Sequence, residues 1–106
     1  MGHDISGLNK AGEEIAYARF SMGNYNSIIL YSLLDANKYY AGVSGSGRSS
    51  TFSIKQIEKA LHTYKRIYGN GNSLSESDWD LKQIWNFIQS CSATGKIEGS
   101  VRVYFG

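Results

Sequence analysis

A chain of 106 residues has room for one domain around a single core, and 42% hydrophobic, 13% aromatic and 19% charged content excludes a disordered tract. A formal net charge of +2 is too small to single out a polyanion partner, which calls for a clustered basic footprint. The lone cysteine, Cys91, excludes an internal disulfide and a four-thiolate zinc site and points to a reducing, cytoplasmic compartment. The opening MGHDISGL lacks the basic and apolar regions of a secretory signal. The longest apolar cluster, Ile28 to Leu34, is broken by Tyr31 and Ser32 and falls far short of the roughly 20 residues a membrane span needs, so no membrane association is expected.

With no proline and 12 glycines, the turns must be built from Gly, Asn and Ser. Alternation of Ile15, Tyr17 and Arg19 with Ala16, Ala18 and Phe20 predicts a strand over 13–20. Asn24 or Asn26 is then placed to cap a buried helix over 27–36. Residues 38–43 read as a short aromatic strand leading into a glycine-rich loop. Ser53 and Gln56 form a capping-box pair ahead of Ile54, Ile57, Leu61, Tyr64 and Tyr68 at helical spacing, and the run Gly69-Asn70-Gly71-Asn72 ends that helix. A further helix opens at Ser75, with Glu76 and Asp78 favouring its positive end, carries Leu81, Ile84, Trp85, Ile88 and Cys91 on one stripe, and stops at Gly95. Ile97, Val101, Val103 and Phe105 share one face of a last strand. The order βαβααβ predicts one α+β domain, about three helices packed with a small antiparallel or mixed sheet of two to three strands.

Gly42 to Ser49, Gly-Val-Ser-Gly-Ser-Gly-Arg-Ser, fits the spacing of a phosphate-cradling P-loop except that Arg48 replaces the lysine. The context excludes NTP hydrolysis. Thr51 and Phe52 intervene before the capped helix, and no apolar strand ending in a metal-holding aspartate follows. An anion nest needs less: backbone N–H groups at Gly42, Gly45 and Gly47, hydroxyls of Ser44, Ser46 and Ser49, and the Arg48 guanidinium. Tyr39 or Tyr40 can stack a ring over it, and the helix start at Ser53 can add N–H donors. The competing reading is an ordinary surface loop beside half-buried tyrosines.

Lys55, Lys59, His62 and Arg66 recur at four, three and four residues, a cationic stripe that suits nucleic acid but also lies where a solvated helix face belongs. His3-Asp4, Glu13-Glu14 and the distant His62 lack metal-ligand spacing, and Cys91 falls on an apolar stripe. No catalytic residue, metal or cofactor is therefore assigned. Trp79 lies off its helix's apolar stripe, and with eight tyrosines it suits an oligomer contact or a protein-blocking surface.

The segments Gly2-His3-Asp4-Ile5-Ser6 and Tyr39-Tyr40-Ala41-Gly42-Val43-Ser44-Gly45 resemble small accessory proteins carried by bacteriophages and prophages, which form no named family. The resemblance implies a non-enzymatic protein acting on host machinery in the bacterial cytoplasm, one class of which sequesters nucleotide signals of host defence between subunits of an oligomer. Residues and resemblance together lead to the expectation of a homo-oligomeric binder of a phosphorylated small molecule at Tyr39, Tyr40 and 42–49. A module that binds a host protein through exposed aromatics, and nucleic-acid binding through Lys55, Lys59 and Arg66, are the alternatives.

Overall fold

The computed structural model describes residues 2–21, 24–42, 44–69 and 79–106. Along the chain run β1 (Gly2–Leu8), β2 (Glu14–Ser21), α1 (Ser27–Leu33), one 3₁₀ turn (Asn37–Tyr39), β3 (Arg48–Ser53), α2 (Ile54–Tyr68), α3 (Trp79–Glu98) and β4 (Ser100–Phe105). The strands form one antiparallel sheet in the order β2-β1-β4-β3, so the α+β class stands and the sheet has four strands rather than two or three. None of the described helices is long and apolar enough to cross a membrane.

The strand that was not expected, β1, lies in the middle of the sheet between β2 and β4. Its inward positions are His3, Ile5 and Gly7, of which only Ile5 is aliphatic, so alternation of apolar residues does not reveal it. Gly7 is small for a reason: a Cβ there would sit 3.0 Å from Cys91 Sγ and 3.1 Å from Ala16 Cβ, so the glycine lets α3 settle onto the sheet. Asn9 and Gly12 close the hairpin to β2. Asn9 Oδ1 accepts from the Glu13 N–H at 2.9 Å, and Gly12 takes a φ of 82°. A shift of register after Gly7 turns Glu14 outward to accept from Ser6 Oγ at 2.8 Å, while Ile15 packs against the core.

The core lies between one face of the sheet and the helices. Ile5, Ala18, Phe20, Val101, Val103 and Phe105 of the strands meet Ile57, Ala60 and Tyr64 of α2 and Ile84, Phe87 and Ile88 of α3, all buried. Burying each Val, Ile or Phe side chain among them contributes about 1.5–3 kcal/mol before chain entropy is counted. The other face of the sheet is polar and open. Tyr17 and Tyr104 are exposed there, and Asp4 accepts from the Tyr17 hydroxyl and pairs with Arg19 at 3.6 Å.

The capping box forms as the sequence predicts: Ser53 Oγ accepts from the Gln56 N–H at 3.2 Å, and Gln56 Oε1 accepts from the Ser53 N–H at 2.8 Å. Four other expectations need correction. Of the strand expected over 38–43, Lys38 and Tyr39 belong to the 3₁₀ turn and Tyr40 makes one isolated bridge to Gly45; no described residue of this range lies in a strand. Helix α1 ends at Leu33, not at 36, because Asp35 adopts a φ of 54° and the Asp35 and Ala36 N–H groups turn back to the Ser32 and Tyr31 carbonyls, a Schellman stop. Asn26 stands at the start of α1 without capping it by its side chain; its amide and that of Asn24 both donate to Asp80 Oδ2, at 3.0 and 2.6 Å. Gly95 does not stop α3.

The helix continues to Glu98, leaving Ile97 87% exposed on its surface, and turns into β4 through Gly99 alone, at φ 87°. Gly95 instead allows α2 to approach, since a Cβ there would meet Ile54 Cδ1 at 3.0 Å. The helix start expected at Ser75, with Glu76 and Asp78, and Asn70 to Asn72 of the preceding stop lie outside the described residues.

The two small-residue contacts predict opposite outcomes. Gly7→Ala should cost about 1–3 kcal/mol in urea unfolding, because three neighbours crowd the new methyl. Gly95→Ala should change stability by less than about 1 kcal/mol, since the flexible Ile54 tip can yield and alanine improves helix propensity by about that amount.

Candidate functional site

Everything around the glycine-rich turn is organised by His3, which is 1% exposed. The Gly42 carbonyl, 3.1 Å from Nε2, can only accept, so Nε2 donates to it, while Nδ1 is hydrogen-bonded to the Tyr31 hydroxyl at 3.0 Å. Burial pushes the Tyr31 phenol up to about 12, with Tyr40 adding to the shift, so that hydroxyl keeps its proton and remains a donor. Tyr40 stacks on the His3 ring at 5.2 Å and meets Tyr31 edge-on at 5.3 Å. His3 and Asp4 point to opposite faces of the sheet, so that sequence pair forms no common site.

The turn itself is woven into the sheet. The Gly45 N–H donates to the Gly106 carbonyl at 2.8 Å, the Ser46 N–H to Tyr39 at 2.9 Å, and the Gly47 N–H to Phe105 at 2.7 Å. Three consecutive donors that an anion nest would offer are thus bonded to the protein itself, and the expected backbone nest does not form at 45–47. The glycines have local causes. A Cβ on Gly45 would lie 2.6 Å from the Phe105 carbonyl carbon, while Gly42 and Gly47 take φ of 89° and 77°. Ser44 Oγ donates to the Gly45 carbonyl at 2.9 Å, and Val43 is outside the described residues.

Arg48 and Ser49 open β3 instead of closing the loop, and this separates them. Arg48 pairs in register with Phe105 and shares its side of the sheet, whereas Ser49 faces the other side, where its Oγ accepts from Arg102 Nε at 2.9 Å. Ser49 therefore does not join Arg48 around one anion. The start of α2 is also remote: β3 runs from Arg48 to Ser53, about 16 Å at 3.3 Å per residue, so its N–H groups do not face the turn.

On Arg48's side stands Phe105, with the Tyr39 ring stacked on it at 4.9 Å and an interplanar angle of 3°. Lys38 Nζ lies 5.4 Å from the Tyr39 ring centroid. The structure thus gathers Lys38, Tyr39, Ser46 and Arg48 at one end of the molecule, beside Tyr40. Lys38 is the member that sequence reasoning missed; its position next to Tyr39 was the available signal. Arg48 is exposed and makes no side-chain hydrogen bond or ion pair with any described residue.

The other candidates separate cleanly. Lys55, Lys59, His62 and Arg66 are all exposed, opposite buried Ile57, Ala60 and Tyr64. Cys91 is buried, and burial raises its thiol to about 12, so the reactive thiolate is suppressed. Among the described residues no three His, Cys, Asp or Glu side chains are grouped as metal ligands.

Tyr31→Phe should leave the buried Nδ1 without its hydrogen-bond partner and lower stability by about 1–3 kcal/mol in chemical denaturation. Amide exchange at Gly45, Ser46 and Gly47 should accelerate in the same variant, because Tyr31 no longer fixes the ring whose Nε2 donates to the Gly42 carbonyl. No model of a known protein family matches the chain, and no curated protein or solved structure matches it.

Proposed function

We propose that the protein binds a phosphorylated small molecule, of the size of a nucleotide signal, and holds it without chemical change at the glycine-rich end of the sheet. The observation that carries this reading is Arg48: an exposed guanidinium without a described partner, at the mouth of a turn fixed by His3 and by the Gly45, Ser46 and Gly47 hydrogen bonds. A rigid turn lowers the ordering cost of binding, and a guanidinium offers a planar fork of donors that suits phosphate. Lys38 supplies a second positive charge and Ser46 a hydroxyl. The site thus relies on side chains, since the backbone donors of the turn serve the sheet. Tyr39 and Tyr40 position the turn by packing against Phe105 and His3, and their remaining exposed edges face the ligand.

A panel of mono-, di- and cyclic nucleotides tests the reading by thermal shift. At least one should raise Tm, and at ligand near 100 times Kd the stabilisation amounts to about 2.7 kcal/mol by mass action. Arg48→Ala should abolish the shift while leaving the Tm of the free protein within a degree or two, and absence of any response across the panel would refute the proposal.

A second reading has its own observation. Asp80 draws Asn24 and Asn26 to the start of α3, which sets Tyr25 and Trp79, 77% and 68% exposed, at one corner of the molecule. Exposed aromatics that bury large area with few rotors make good association anchors. Under this reading the corner is an interface between copies of the chain or with a host protein. Sedimentation velocity should then show an oligomer that Trp79→Ala converts to monomer; a wild-type monomer at high concentration rejects self-association through this corner.

A further inference from the structure

A cleft of about 610 Å³ lies away from the glycine-rich turn, between α1 and α2. That falls within the roughly 300–1,000 Å³ of pockets that enclose drug-sized molecules. Its apolar floor is Ile28, Ile29 and Leu33 of α1 with Ile67 and Tyr68 of α2, and Ile28 and Ile67 are exposed into it at 38% and 57%. None of the described residues among 42–49 lines it, so it is separate from the site at Arg48.

Two opposite charges border this apolar floor, Asp35 after α1 and Lys59 on α2, and they do not pair with each other or with any other described side chain. Asp35 occupies an unfavourable position on two counts. Its φ of 54° is the left-handed region in which a helix stop ordinarily uses glycine or asparagine. Its carboxylate also stands at the C-terminal end of α1, where the helix dipole disfavours negative charge. The Schellman bonds hold the backbone there, but the carboxylate finds no partner among the described side chains. Lys59 belongs to the cationic stripe of α2, yet it faces the cleft, where Gln56 and Thr63 add polar groups beside it.

We infer that this cleft binds a short apolar peptide with free ends, its ammonium group on Asp35, its carboxylate on Lys59 and its side chains on the Ile28, Leu33 and Ile67 floor. A single anionic amphiphile would leave Asp35 repelling it, and an uncharged one would leave both charges facing an apolar body. A lone amino acid fills only a small part of the volume. A peptide of two or three apolar residues satisfies both charges and the floor at once.

The test uses the full chain and the dipeptide Leu-Leu in four forms: free, N-acetylated, C-amidated and capped at both ends. Amide chemical shifts should move along residues 28–35 and 56–68. Amidation or acetylation should each weaken binding about tenfold, the loss of one charge-assisted contact. Lys59→Ala should weaken the free peptide by a similar factor and leave the amidated peptide unchanged, and Asp35→Asn should do the same for the acetylated form. Both residues are exposed, so neither variant should fail to fold. Equal affinity of free and doubly capped peptide, shifts confined to another surface, or no saturable binding at millimolar peptide would each overturn the inference. Tighter binding of decanoate, insensitive to Asp35→Asn, would also overturn it. So would shifts of the same residues on dilution without peptide, which would assign the cleft to a second copy of the chain.

Discussion

One buried imidazole fixes the arrangement on which the rest depends. His3 reaches from the middle of the sheet to α1 through Tyr31 and to the glycine-rich turn through Gly42, and Tyr40 covers its ring. A buried imidazole needs a hydrogen-bond partner at each ring nitrogen, and here the two come from different segments. Neither segment can move independently without leaving a buried polar atom unsatisfied. No buried side-chain polar atom among the described residues lacks a partner, so this requirement is met throughout. The constraint also explains why β1, poor in aliphatic residues, occupies the centre of the sheet: its contribution to that end of the molecule is a hydrogen-bonding node and not only an apolar surface.

How much of this is legible in the sequence depends on the kind of signal. Strand β2, helix α2 with its Ser53–Gln56 capping box, and β4 follow from periodicity and local hydrogen-bond chemistry, and those signals are carried by the residues themselves. What is not legible depends on contacts distant in the chain. His3 and Gly7 look like loop residues until Tyr31, Gly42 and Cys91 are brought against them. Gly95 reads as a helix stop until Ile54 lies over it, and Gly99 is the residue whose positive φ ends the helix. Glycine alone does not say whether it serves a turn or a close approach.

The glycine-rich turn illustrates the same ambiguity at the candidate site. Its spacing suggests donors converging on phosphate, but the sheet uses the N–H groups of Gly45, Ser46 and Gly47, and the closeness of Phe105 excludes a side chain at position 45. Arg48 survives as a candidate because strand register gives it a side of its own, apart from Ser49. Alternation along β3 thus divides two residues that adjacency in the sequence joins. The grouping of Lys38 and Tyr39 with Phe105 arises only because the 3₁₀ turn replaces the expected strand.

The outermost strand β2 would ordinarily present a bare row of main-chain groups to any neighbouring chain. Gln83 on α3 intervenes: its Oε1 accepts from the Arg19 N–H at 2.7 Å and its Nε2 donates to the Arg19 carbonyl at 2.9 Å. A primary amide has the same donor and acceptor pair as a peptide unit, so this side chain imitates one residue of a missing fifth strand. The imitation ends after a single pair and cannot propagate. It leaves the sheet with unequal borders: β2 is covered at Arg19 by a helix side chain, and β3 has no further strand beside it among the described residues.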